Sequence, residues 1–202
     1  MIKIQIDEKE FHLPSNWSEV SLDCLMKLNN IKEKTFTSDI EQSIAIIESV
    51  SDMTEEIILD LPISDLRTIS DLFDWVAVLP NDDVIDPYIM IDDIKYLPVN
   101  IQTISSGEFI SLEVFQKGDV NNNLHLIAAI LIRPEVDGKI EKLKDIFDIQ
   151  NRAELFKEKL MVGDYWPIVQ SFFYGAASSS SINTQDSSDQ PKSLSRLKIV
   201  SS

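Results

Sequence analysis

Residues 3–14 read KIQIDEKEFHLP, and residues 88–98 read YIMIDDIKYLP. The two phrases share one pattern, and that pattern decides the fold. Ile2, Ile4 and Ile6 alternate with Lys3 and Gln5, which predicts a half-buried strand. Asp7, Glu8 and Lys9 form a polar break, after which the alternation resumes through Phe11 and Leu13 and stops at Pro14. The spacing predicts a short β-hairpin closed by proline. The second phrase repeats it, with Ile89 and Ile91, then Asp92-Asp93, then Lys95 to Pro98. Asp7 corresponds to Asp92, and Phe11 to Tyr96.

The correspondence continues downstream. EVSLDCLMKL (Glu19 to Leu28) lies against TISSGEFISL (Thr103 to Leu112). Ser21 and Ser105 then fall together as N-caps before apolar-periodic runs. Val20 falls on Ile104, Leu25 on Phe109, Met26 on Ile110 and Leu28 on Leu112. A helix follows in each copy, DIEQSIAIIESVSDM in the first and NNLHLIAAILIRP in the second. EEIILDLPISDLRTISDLFDWV finally matches ELFKEKLMVGDYWPIVQSFFYG, setting Asp65 on Asp164, Leu66 on Tyr165 and Phe73 on Phe172.

The expected fold is therefore α+β and mostly helical. It is a tandem duplication of a unit made of a short β-hairpin followed by three or four helices. Repeat 1 spans 1–79 and repeat 2 spans 88–177. The linker at 80–87, PNDDVIDP, is acidic and bounded by prolines. EVDGKIEKLKDIFDIQ after Pro134 reads as an insertion in the second copy. A two-stranded hairpin is marginal alone, so two copies would bury their apolar faces against each other or against neighbours in an assembly. Val20, Leu25, Phe11, Phe73, Ile104, Phe109, Tyr96 and Phe172 are expected to be buried.

Charge narrows the function. The formal net charge is −16. From Met1 to Pro87 there are 19 acidic and 6 basic residues, net −13; the remainder has 15 and 12, net −3. An anionic surface repels phosphate backbones, which argues against nucleic acid as a partner. It serves either solubility or a basic partner. No apolar run approaches the roughly 20 residues of a membrane helix. The N-terminus lacks the apolar segment of a secretory signal, so no membrane role is expected. Cys24 is the single cysteine, so no disulfide forms within the chain.

No catalytic constellation stands out. His12 sits in a strand on its expected outer face, and His125 lies among Leu124, Leu126 and Ile127, where a hydrogen-bonded structural role is expected. No histidine or cysteine spacing suits zinc. The five glycines form no phosphate-binding loop. Asp82-Asp83 and Asp92-Asp93 lack the spacing of a calcium loop and read as turn or surface residues. No cofactor, metal or small-molecule substrate is expected, and the chain reads as a non-enzyme. Trp17, Trp75 and Trp166 lie beside apolar neighbours, which suits core packing, with partner anchoring as the alternative.

From Ser178 the composition turns to serine, SSSSINTQDSSDQPKSLSRLKIVSS. The tail at 178–202 is expected to be disordered alone or to dock on a partner. Its anchors would be Leu197, Ile199 and Val200, with Arg196 and Lys198 between them.

The stretch SIAIIESVSDMTEEIILDLPISDLRTISDLFDWV (43–76) resembles the acidic helical domain of bacteriophage tail assembly chaperones. Val50 to Met53 stand where that family has an L-T-G-[LI] phrase. Glu55-Glu56 and Ile57 follow, and Asp65-Leu66 open the last helix. Thr54 replaces the family's proline, and Ser51-Asp52 its threonine-glycine. The duplicated layout also resembles small proteins of phages with AT-rich genomes, such as the crAss-like group. The resemblance implies a protein of the host cell cytoplasm that binds a tail or tape-measure protein before assembly. The alternative is a structural virion component, such as a head–tail connector, ring or packaged protein. Partners would be other phage structural proteins or further copies of the chain. The candidate partner-binding residues are Glu55, Glu56, Asp60, Asp65, Leu72 and Trp75, with Glu48, Asp52, Asp71 and Asp74 adding charge, and Arg196 to Val200 of the tail.

Overall fold

Alternating isoleucines build the first strand, β1 (Ile2–Ile6), which pairs antiparallel with β2 (Lys9–Leu13). Ile4 lies opposite Phe11 and Ile6 opposite Lys9, so Asp7 and Glu8 alone form the turn. Asp7 takes a positive φ of 53°, a conformation that aspartate tolerates better than most residues. In this computed structural model, residues 1–80, 86–143 and 146–179 are described. The architecture is α+β and mostly helical, with eight α-helices and two small sheets among those residues.

The first two helices start where the sequence supplies a serine cap. The Ser21 side chain accepts the Cys24 N–H at the start of α1 (Leu22–Lys32), and Ser38 does the same for α2 (Asp39–Val50). Two shorter helices follow, α3 (Glu55–Leu59) and α4 (Ile63–Asp71). A 3-10 turn over Asp74–Ala77 brings Trp75 edge-on to Trp17, with ring centroids 5.0 Å apart. The Trp17 indole N–H donates to the Val78 carbonyl at 2.7 Å and pins this turn to the first one, Trp17–Glu19.

The second half opens with β3 (Ile89–Ile91) and β4 (Ile94–Pro98), where Ile89 faces Tyr96. Asp92 and Asp93 form its two-residue turn, both with positive φ. Helix α5 (Ser106–Lys117) begins with a capping box in which Ser105 and Glu108 satisfy each other's backbone N–H groups. Helix α6 (Leu124–Leu131) is apolar nearly all round, and Ile127 to Leu131 are fully buried. Such a helix belongs at the centre of a core. Helices α1, α5, α7 (Ile146–Lys159) and α8 (Val162–Ser179) pack on it. Tyr165 is fully buried and donates its hydroxyl to the Leu124 carbonyl at 3.2 Å; burial holds its phenol pKa up, so it stays neutral.

Two expectations need correction, and one segment gains an element. The apolar run at 124–134 is not one helix, because the chain leaves α6 at Leu131 and continues as β5 (Ile132–Val136), paired with β4. The segment read as an insertion, 135–150, begins with a third hairpin, turning at Asp137-Gly138 into β6 (Lys139–Ile140), so the second sheet has the order β3-β4-β5-β6. Both turn residues have positive φ, which the Asp-Gly pair supplies at little cost. Phe109 is not buried but 44% exposed, beside exposed Ile110 and Val114. Its counterpart Leu25 is covered because α2, α6 and α7 all pack on α1, whereas α5 packs mainly on α6. The other seven expected core residues are buried, Ile104 partly.

The two halves share one core that runs without a break from Phe11 to Phe172. They are also stitched by backbone. The Leu22 N–H donates to the Leu160 carbonyl at 3.0 Å and the Val162 N–H to the Val20 carbonyl at 2.8 Å, which makes Ser21 and Met161 a small antiparallel bridge. Gly163 packs there against Ser18. Most of the linker, 81–85, and the tail from 180 onward, with Arg196 to Val200, lie outside the described residues; helix α8 itself continues through Ser179. No helix among the described residues is long and apolar enough to cross a membrane.

His125, on α6, is half-buried, and its buried Nδ1 has no hydrogen-bond partner among the described residues, unlike the bonded role expected of it. Burial lowers its pKa, with Glu154 and Asp23 raising it and Lys157 lowering it further. The folded value therefore lies below the unfolded value of about 6.5. Stability from the neutral ring is complete above about pH 6.5 and is lost as pH falls from there toward the folded value, because the unfolded chain binds the proton first. The drop in melting temperature between about pH 7.5 and 5.5 should shrink in His125→Leu. Equal drops in both proteins would contradict this assignment.

Candidate functional site

The hairpin turn and the acidic helices meet at one place. An open groove of about 1010 Å³ lies between the first hairpin and α3–α4. Its apolar lining comes from Ile4, Ile6 and Phe11 on the hairpin, from Ile57 and Ile69 on the helices and from Leu61 between them. Alternation puts Ile4 and Ile6 on the same strand face, opposite the side of Gln5. Both remain only half-buried, although they pack on the core. Asp7, Glu8, Asp60 and Asp65 line the groove as well, with Lys9 the one basic residue of its lining among the described residues. An apolar floor with an acidic rim suits an extended or helical segment that carries both apolar and basic side chains.

The expected site residues divide. Asp60 and Asp65 line the groove. Glu55 and Glu56 are exposed in the first turn of α3, where the helix dipole also favours carboxylates; they add to the same acidic face but not to the groove. Glu48, Asp71 and Asp74 are exposed on neighbouring turns. Leu72 and Trp75 are half-buried against the core and do not line the groove. Arg196, Leu197, Lys198, Ile199 and Val200 lie outside the described residues.

Asp52 has an internal use. One carboxylate oxygen accepts the His12 backbone N–H at 3.0 Å and the other lies 3.3 Å from the His12 ring Nδ1. Partial burial alone would raise its pKa, but these hydrogen bonds outweigh that and hold it below the ordinary value. Asp52 thereby occupies a backbone donor on the outer edge of β2. His12 Nε2 lies 3.3 Å from Glu10, whose own pKa is lowered first by a hydrogen bond from Lys3. His12 is thus enclosed by carboxylates on the surface of the hairpin.

Sequence reading missed the hairpin's share of this site. The signal was present: an Ile-x-Ile strand too short to bury itself, followed directly by Asp7-Glu8. Among the described residues, no group of three or more histidine, cysteine, aspartate or glutamate side chains could hold a metal ion. No family model, curated protein or solved structure matches the chain.

Proposed function

We propose that this chain is a non-enzymatic bacteriophage assembly protein that acts as a tail assembly chaperone does. It would hold a basic, amphipathic segment of a tail or tape-measure protein in the host cytoplasm. The observation that carries the reading is the acidic-rimmed apolar groove of the N-terminal half, with Asp60 and Asp65 beside Ile57 and Leu61. Apolar side chains of the client would fill the floor and hold the complex, while the carboxylates would speed the encounter. The proposal extends to the origin of the fold as a tandem duplication. Support comes from equal hairpin registers, Ile4 opposite Phe11 and Ile89 opposite Tyr96. It comes also from Asp65 and Asp164, each the third residue of its helix. The experiment is capture of a partner from infected cells by the intact protein, compared with a variant carrying Glu55→Gln, Glu56→Gln, Asp60→Asn and Asp65→Asn. The intact protein should retain a phage structural protein that the variant retains far less.

A further inference from the structure

Strand β1 has an unpaired outer side. Among the described residues no strand joins it there, and its sheet has two strands only. Ile6 and Lys9 close a two-residue turn, so theirs is a hydrogen-bonded pair, and pairs alternate from there. Lys3 and Gln5 consequently direct their N–H and C=O groups away from β2. On β2, Glu10 and His12 face outward in the same way, and Asp52 accepts the His12 N–H. Among the described residues no strand covers the β1 edge, and that strand borders the acidic groove through Ile4, Gln5 and Ile6.

The chain carries its own complement to this surface. Residues 191–202, PKSLSRLKIVSS, contain Lys192, Arg196 and Lys198 and no acidic residue. Among the described residues the groove has four carboxylates, Asp7, Glu8, Asp60 and Asp65, against Lys9. In an extended conformation, Leu197 and Ile199 fall on one face and Arg196 and Lys198 on the other. We propose that the 194–200 segment docks in this groove of its own chain, as a strand along β1 with Leu197 and Ile199 on the apolar floor. The open edge supplies main-chain partners and the groove selects the side chains. Reach is no obstacle: the fourteen residues 180–193 extend to roughly 45–50 Å, whereas a compact chain of this size has a radius of gyration of roughly 16–17 Å. The inference rests on reading the groove as a site for basic amphipathic segments. It makes the tail an internal occupant that a client must displace.

The test uses the full chain and a zero-length carbodiimide cross-linker, which joins lysine amines to carboxylates in direct contact. Lys198, on the face away from the floor, should link to Asp7 or Glu8 of the hairpin turn. In an equal mixture of unlabelled and nitrogen-15-labelled chains, those links should stay within one isotope. Replacing Leu197→Asp and Ile199→Asp removes the apolar anchors, and the links should fall by about tenfold or more. Lys198 links spread evenly to distant carboxylates such as Glu154 and Glu158 would overturn the proposal, as would links that mix isotopes. Failure to capture any client would leave these links unchanged, so the two readings fail separately.

Discussion

Replacing Glu108 with alanine should lower the unfolding free energy by about 3–5 kcal/mol, the range for removing one member of a buried ion pair. The Arg133 side chain is 6% exposed and that of Glu108 14%. Glu108 Oε1 lies 3.1 Å from the guanidinium Nη2, in ionic contact without the angle of a directed hydrogen bond. The Arg133 Nε–H donates to the Ile130 carbonyl at 3.0 Å, so the guanidinium is fixed by its own chain. Burial would raise the Glu108 pKa, but the Ser105 N–H and the Arg133 charge outweigh it and hold the carboxyl below its usual range. The alanine variant strands a buried cation and also removes half of the capping box of α5. Glu108→Gln keeps the cap and loses only the charge, so its cost should be smaller. Glu108→Leu combined with Arg133→Met should recover most of the loss, since two apolar groups need no counter-charge. Denaturant unfolding of the three variants measures this, and a loss near 1 kcal/mol or less for Glu108→Ala would contradict it.

Gly163→Val should cost about 3 kcal/mol, at the upper end for overpacking a close contact. A Cβ at Gly163 would stand 2.5 Å from the Ser18 Oγ, 3.0 Å from its Cα and 3.1 Å from its backbone nitrogen. The hydroxyl can rotate away, but the backbone cannot. The neighbouring bonds, Leu22 to Leu160 and Val162 to Val20, hold the two segments at that distance. Gly163→Ala should cost less, because a helix position favours alanine over glycine by about 1 kcal/mol. Adding Ser18→Ala should not rescue Gly163→Val, since the backbone contacts remain. A melting temperature for Gly163→Val equal to wild type would mean that the halves do not meet as closely as the bridge implies.

How much was legible in the sequence follows from which forces act locally. The first two hairpins were, because period-two alternation ending in Pro14 and Pro98 has few other readings. The starts of α1 and α5 were, because Ser21 and Ser105 are caps whose chemistry is complete within one turn. The end of α6 was not. An all-apolar run gives no phase, and only pairing with β4 decides that Ile132 begins a strand. Phe109 failed for the same reason: its burial depends on what covers α5, not on α5 itself. The Asp137-Gly138 turn was a local signal that went unused. Arg133, a charge two residues past an eight-residue apolar helix, was another, but its partner Glu108 is 25 residues away and only the fold brings them together. At the site, the acidic helices were legible from composition. The groove was not, because it exists only where the turn at Asp7-Glu8 comes to rest beside Asp60 and Asp65.

The central claim is that this acidic face captures a basic segment, and the rate of capture tests it most directly. The measurement is the association rate of the immobilised protein with the phage structural protein it retains, at low and at physiological ionic strength. Exposed charges are screened beyond roughly 8–10 Å at physiological salt. The rate should therefore fall by about tenfold or more as salt rises. The Glu55→Gln, Glu56→Gln, Asp60→Asn, Asp65→Asn variant should already be slow at low salt, with little further loss. The same rate in both salts, with and without those four substitutions, would contradict the account and leave the carboxylates as a solubility device.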